Sequence, residues 1–262
     1  MITELNIFPG FDKTGNQENY EELTLKAGET VSIVGPTGSG KTAFITDIEL
    51  LAQGDTATKR RILINRELPD SSIRFNPALK PIAMITQNTK CFADLTTQEF
   101  LEIHARARGI DNKGIIAETI KLANVFTGEK IRQENKVTTL SGGQTRSLLI
   151  ADAILIGAAP IVLLDEIENA GIFKQEVMEI IQGTGKIIIF VTHDPVIALH
   201  TQKRLIMENG GVKKVITQSE LEVHAAKNLV ELDKRIGVIR EELRAGKIIT
   251  RELVNLNIEG VI

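Results

Sequence analysis

Two short segments carry residues whose types and spacing suit phosphoryl chemistry. In VSIVGPTGSGKT, Gly35, Gly40, Lys41 and Thr42 satisfy G-x-x-x-x-G-K-[ST], between an apolar strand-like run and a helix-like run beginning AFITDIELLA. The loop running through Gly35, Pro36, Thr37, Gly38, Ser39, Gly40, Lys41, Thr42 and Ala43 is expected to wrap a nucleotide's phosphates. Glycines let backbone N–H groups converge on the β-phosphate, and the helix start adds the positive end of its dipole. Lys41 brings a cation to the β- and γ-oxygens, and the Thr42 hydroxyl is placed to ligate Mg²⁺. A chance glycine-rich turn would explain the glycines but not both flanks. Further on, IVLLDE sets Asp165 and Glu166 at the end of a second apolar run. Asp165 suits a Mg²⁺ site, held through water, and Glu166 suits a general base for an attacking water. An apolar run ending in two acids is common by itself and gains weight from following the phosphate loop.

A third segment, LSGGQ at Leu140–Gln144, lies between the other two, with Ser141 24 residues ahead of Asp165. Ser141 can cap a helix, and Gly142 and Gly143 let a phosphate approach the backbone. Here the chain resembles the ATP-binding cassette (ABC) ATPases, whose signature is LSGGQ. The resemblance covers about residues 1–218 and implies a P-loop α/β core of ABC type with an antiparallel N-terminal β-subdomain and an inserted helical subdomain. It implies ATP as substrate, Mg²⁺ as cofactor, and a head-to-tail dimer, either of this chain or with a related ABC subunit. Ser141, Gly143 and Gln144 would then meet the γ-phosphate of the ATP held by the partner's Lys41. Gln87, after IAMIT, matches the family's Q-loop glutamine, a Mg²⁺ and water ligand. His193, after IIIFV, matches its switch histidine, which contacts the γ-phosphate and Glu166. The family also stacks an aromatic residue on adenine; Phe11, 30 residues ahead of Lys41, is the choice here, with Tyr20 as the alternative.

Positioning these groups requires a sheet whose strand ends meet at one edge. VSIV (31–34), IAMI (82–85), IVLL (161–164) and IIIFV (187–191) read as parallel strands buried on both faces, separated by helical segments. The first thirty residues and RILINRE (61–67) alternate and hold turn residues, as an antiparallel edge sheet would. Between Lys90 and Leu155 strand signals vanish. Thr96 and Glu99 make a capping box ahead of Phe100, Leu101 and Ile103, Gly109 suits that helix's C-terminus, and a second helix is expected over Lys113 to Val125. The core is thus assigned to 1–88 and 160–218, a helical subdomain to 89–159, and a helical tail to 219–262. In the tail, Leu229, Leu232, Ile236, Ile239 and Leu243 form one apolar seam about two heptads long.

The chain departs from the family pattern in three places. After Glu166 it reads IENAGI, with Ile172 where the family's D-loop ends in Asp; Ser147 and Asp152 stand where arginines are usual, although Arg146 lies beside the first. A net charge of −3 over 262 residues gives no bulk attraction to nucleic acid, and none is expected as a partner. The single cysteine, Cys91, excludes an internal disulfide. No secretory signal is visible, and the longest apolar stretch, ILIGAAPIVLL, is too short and broken to span a bilayer. A cytoplasmic location is therefore expected, at the inner face of the membrane if an integral membrane subunit supplies the spanning part. That transporter reading is preferred. Its alternative is a free-standing ATPase that remodels a soluble protein partner. Cys91, Phe92, Leu95 and Phe100 are expected to line the groove that would receive a membrane subunit.

Overall fold

Strands β1 (Glu4–Phe8), β2 (Leu23–Lys26) and β4 (Arg61–Ile64) form a three-stranded antiparallel sheet in the order β2-β1-β4. Leu5 and Ile7 of β1 face Leu25, Leu23, Ile64 and Ile62 across it, so the alternating apolar positions share one buried face. This is the computed structural model of the chain, and it describes residues 2–250 except 77, 78, 113, 158 and 171.

The larger sheet takes up the four apolar runs as β3 (Thr30–Val34), β5 (Ile82–Ile85), β6 (Ile161–Asp165) and β7 (Ile187–Val191). With β8 (Lys203–Glu208) and β9 (Gly211–Thr217) its order is β5-β6-β7-β3-β8-β9, parallel except for β9. Strands β6 and β7 feed two cores in turn, and β3 feeds the first. Ile161, Leu163, Ile187, Ile189, Val31 and Ile33 face the small sheet and α1 (Lys41–Glu49), while Val162, Leu164, Ile188 and Phe190 face the helical side. Burial on both faces is why these strands read as continuous apolar runs rather than alternating ones. Phe44, Ile45 and Ile48 close the first core from α1, the helix that follows the glycine-rich loop.

The helical side holds α3 (Thr97–Ala107), α4 (Ile115–Phe126) and α5 (Gly142–Leu155), after a short α2 (Ser71–Phe75). The α3 capping box is formed in both directions between Thr96 and Glu99, and the helix ends ahead of Gly109 at φ 66°. Helix α4 buries Ile120, Ala123 and Phe126 in one cluster with Leu148, Ile150 and Ala151 of α5; Lys113, expected to start it, lies outside the described residues. Helices α6 (Lys174–Gln182) and α7 (Pro195–His200) complete this layer through Val177, Met178, Ile181 and Ile197.

Among the described residues, those up to Gln218 form one compact unit and those from Ser219 a second. In the second, α8 (Glu220–Arg244) starts at a Ser219–Glu222 capping box and runs 25 residues with Ile236 and Leu243 exposed. No helix among the described residues is long and apolar enough to cross a membrane.

Candidate functional site

The parallel strands β5, β6, β7 and β3 end at one edge of the sheet, and each is followed by one of the expected groups. Their neighbour order sets Gln87, then Asp165 and Glu166, then His193, then the glycine-rich loop, in a row about 15 Å long at the usual strand spacing. The register levels them: Asp165 pairs with Val191, which pairs in turn with Ile33, and Glu166 N donates to Val191 O at 2.8 Å. The carboxyl edge of such a sheet is where open α/β folds bind ligands.

The glycine-rich loop takes conformations that only glycine tolerates. Gly40 has φ 100°, and a Cβ there would sit 2.6 Å from Gly210 Cα; at Gly35 it would sit 2.5 Å from Met207 O. The loop is therefore packed directly on the β8–β9 turn, and Gly210 N donates to Ser39 O at 2.8 Å. Lys41 Nζ donates to Gly35 O (2.7 Å) and Pro36 O (3.2 Å), which folds its amine over the loop. Ser39 Oγ is buried with no hydrogen-bond partner. Thr42 and Ala43 lie exposed in the first turn of α1.

Opposite the loop the site is acidic. Burial, then the charges of Glu166 and Glu168, push the Asp165 carboxyl above its usual range, and Lys41 opposes the shift. Glu166 has φ 49°, a left-handed conformation that costs a non-glycine residue about 1–3 kcal/mol. His193 is largely exposed; its Nδ1 lies 3.3 Å from Glu168 Oε1 and 3.9 Å from Glu166 Oε1, the latter too long for a hydrogen bond. Glu168 was not among the residues expected at the site. Its signal was present as an E-x-E spacing one strand end away from His193, in the segment where the chain leaves the family pattern.

Ser141 caps α5: its Oγ accepts from Gln144 N, and Gln144 Oε1 accepts from Ser141 N at 2.9 Å. The Ser141 hydroxyl itself donates to Glu129 Oε2 at 2.8 Å. Ser141 and Gly142 are exposed, Gly143 and Gln144 half-buried, at the N-terminus of a 14-residue helix. Gln87 has an exposed side chain, and its backbone carbonyl accepts from Arg146 Nη2 at 2.7 Å. Arg146 is otherwise buried, with Nε and Nη1 unpartnered. Asp152 is buried too and meets His104 Nδ1 at 2.9 Å, so an acid here is matched by a base on α3.

Of the two aromatic candidates, Phe11 is 40% exposed, while Tyr20 packs against the first core and donates its hydroxyl to Glu18 Oε2 at 3.3 Å. Burial and the neighbouring Glu18 charge push the Tyr20 hydroxyl above its usual range. Phe11 is held from below. Phe11 N donates to Thr58 O at 2.7 Å, and Gly10 N to Glu18 Oε2 at 2.8 Å. Glu18 in turn pairs with Arg60, fully buried, which also pairs with Asp47 of α1 at 2.8 Å. Lys13 Nζ, one turn on, donates to Gly38 O at 2.7 Å and ties this segment to the glycine-rich loop.

Of the groove residues, Phe92 is 86% exposed, whereas Cys91 and Phe100 pack at the edge of the helical core and Leu95 is half-buried. Burial and the charge of Asp152 push the Cys91 thiol up, away from reactivity.

These features define a nucleotide-binding cassette, and comparison with known proteins gives the family. Residues 19–169 match the family model described as ABC transporter, and the chain belongs to that family. It is an ABC-type ATPase that binds ATP. An uncharacterised ABC transporter ATP-binding protein of Methanocaldococcus jannaschii is 48% identical over 259 residues, covering 99% of both chains. The thiamine import ATP-binding protein ThiQ of Brucella suis is 30% identical over 213 residues, 76% of this chain and 82% of that one. Among solved structures, cbiO1 of Clostridium perfringens, part of the ABC transporter complex cbiONQ, aligns with a TM-score of 0.63 at 21% identity, over 92% of this chain and 100% of that one. A dimeric ATP-binding cassette in a post-hydrolysis state with ADP and Pi aligns with a TM-score of 0.60 at 23% identity, over 82% and 99%. These two likenesses establish the fold.

Proposed function

We propose that the row of groups at the strand ends is a site for in-line hydrolysis of ATP, completed by the signature segment of a second subunit, and that the cycle energises a membrane transporter. The observation that carries this reading is the levelled order Gln87, Asp165–Glu166, His193 and glycine-rich loop along one sheet edge. In it, backbone N–H groups of Gly35–Ala43 and the start of α1 hold the phosphates, and Lys41 leaves its loop carbonyls for the β- and γ-oxygens. Glu166 takes the proton of the attacking water, and His193 contacts the γ-phosphate from the next strand. Phe11 stacks on the base.

Thr42, Gln87 and Asp165 are the oxygen donors that would hold Mg²⁺, a donor set of the kind this hard cation prefers. The fit has support in the structure: the half-buried Asp165 carboxyl, held above its usual range by burial and then by two neighbouring acids, is a group whose charged form a divalent cation would favour. When bound, the ion neutralises charge on the transferring phosphoryl group.

The exposed Ser141–Gly142 start of α5 supports a role for Ser141, Gly142, Gly143 and Gln144 as the cap over the partner subunit's nucleotide, since the start of a 14-residue helix presents the positive end of its dipole to an anion. Glu166→Gln keeps the shape of the side chain and removes the base, so ATP should stay bound and hold two subunits together. Size measurement with ATP and Mg²⁺ should then give a dimer that the added Ser141→Arg change returns to monomer. A Glu166→Gln protein that stays monomeric at saturating ATP would sink the two-subunit site for this chain.

A further inference from the structure

The IENAGI segment departs from its family's pattern, yet it supplies an acid that the His193 loop leans on. Glu168 is almost fully buried, with 5% of its side chain exposed. One of its oxygens, Oε1, accepts from Thr192 Oγ1 at 2.6 Å and from His193 N at 3.1 Å, and it lies 3.3 Å from His193 Nδ1. The other oxygen, Oε2, is buried with no hydrogen-bond partner. The far side of the same loop is held as well. Asp194 caps α7 by accepting from Val196 N and Ile197 N, and it pairs with Lys174 of α6 at 2.6 Å. The His193 backbone is thus clamped from both sides by the chain that follows β6, and its ring is approached by a carboxylate other than Glu166.

We infer that Glu168 is a positioning residue for the hydrolytic reaction, fixing His193 with a proton on Nδ1 and so leaving Nε2 as the ring nitrogen for the nucleotide. The inference rests on the role given to His193 above. A carboxylate oxygen can only accept, so whether the imidazole is neutral or charged, the nitrogen facing Glu168 carries the proton. The distances decide between the two acids. Glu168, at 3.3 Å, is the nearer of the two to Nδ1 and already holds the His193 backbone N–H and the Thr192 hydroxyl, while Glu166 stands off at 3.9 Å. Glu166 is left to act on water, and the orienting duty falls to Glu168. A carboxylate that orients a histidine by its second nitrogen is a general device, and its removal releases the ring into the wrong tautomer or rotamer. An acid two residues beyond Glu166 also fits the chain's geometry: Glu166 is in the left-handed conformation, which turns the backbone so that the following short 3-10 turn, Ile167–Ala170, brings Glu168 under the end of β7.

The test is a double-mutant cycle in steady-state ATP hydrolysis. Glu168→Gln keeps the shape and loses the charge, and it should lower kcat by ~10-fold with little change in KM. His193→Ala should lower kcat further. In the His193→Ala background, Glu168→Gln should have no additional effect, because its action passes through the ring. Equal losses in both backgrounds overturn the inference while leaving the role of His193 intact; an active His193→Ala protein overturns that role, and the inference with it. If Glu168→Gln does not fold, the parent protein answers the same question. Nitrogen chemical shifts of His193, one of four histidines, report which ring nitrogen bears the proton. A proton on Nδ1 of the neutral ring supports the assignment, and a proton on Nε2 alone overturns it.

Discussion

At the scale of single residues, the site sets one cation against three acids. Lys41 is the group that opposes the upward shift of Asp165, against the burial of that carboxyl and the charges of Glu166 and Glu168. With ATP bound, the same amine would stand between four phosphate charges and this acidic wall, so its loss is felt in the transition state as well as in binding. Lys41→Ala should lower ATP turnover by ~10²-fold or more, read from rates of the purified proteins at saturating ATP. A rate close to the parent's would mean that phosphoryl charge is neutralised elsewhere. The placement of Gly35, Lys41, Asp165 and His193 at one sheet edge was legible in the sequence because phosphate chemistry restricts both residue type and spacing, and because each lies at or just beyond the end of an apolar run. Glu168 was not legible. Its carboxylate lies two residues past a strand end, where acids are common for reasons of solubility, and only the closed turn at Ile167–Ala170 brings it to His193. Phe11 and Tyr20 differ in a way the sequence does not show: Tyr20 is committed to the core and to Glu18, whereas Phe11 keeps 40% of its surface exposed.

At the scale of elements, the central strands declared themselves, since VSIV, IAMI, IVLL and IIIFV are apolar almost throughout, with Ser32 the one polar residue among them. Strands β8 and β9 did not. KRLIME and GVKKVIT carry charge in both positions of the pleat, with Lys213 and Lys214 adjacent on an edge strand and a register shift between Ile206 and Met207. Charge on an exposed edge protects it from pairing with other chains and at the same time hides the strand from a search by periodicity. What joins these elements below the site is the Glu18–Arg60–Asp47 triad. Arg60 is fully buried and donates to Glu18 through Nε and Nη2, to Asp47 through Nη1 and to Gly210 O, linking the Phe11 segment, α1 and the β8–β9 turn. Glu18 also accepts from Gly10 N and Val212 N, so it cannot be withdrawn to solvent without breaking the backbone around it. Arg60→Ala leaves two buried carboxylates without their counter-charge and should cost about 3–5 kcal/mol of stability, measured by denaturant unfolding of the parent and variant. A cost below about 1 kcal/mol would fit only a triad that water can reach, as with surface pairs.

At the scale of the whole molecule, the question is what the ATPase cycle acts on, and the most exposed large aromatic side chain near the Q-loop bears on it. Phe92 stands five residues past Gln87 with 86% of its surface in solvent, while its neighbour Cys91 and the nearby Phe100 are drawn against the helical core. Packing therefore explains Cys91 and Phe100 and, among the described residues, leaves Phe92 outside the core. A large apolar side chain kept in water beside the loop that follows β5 suits contact with another protein. On the transporter reading proposed above, that protein is a membrane subunit. Phe92→Asp should leave basal ATP turnover of the isolated protein unchanged, because the side chain touches neither core nor nucleotide groups. The same change should remove the protein from the membrane fraction of cells in which the unaltered chain is found there. Should the unaltered protein be recovered only with a soluble partner, and Phe92→Asp abolish that pairing instead, the surface is still an interaction site, but the transporter reading fails and a remodelling ATPase takes its place.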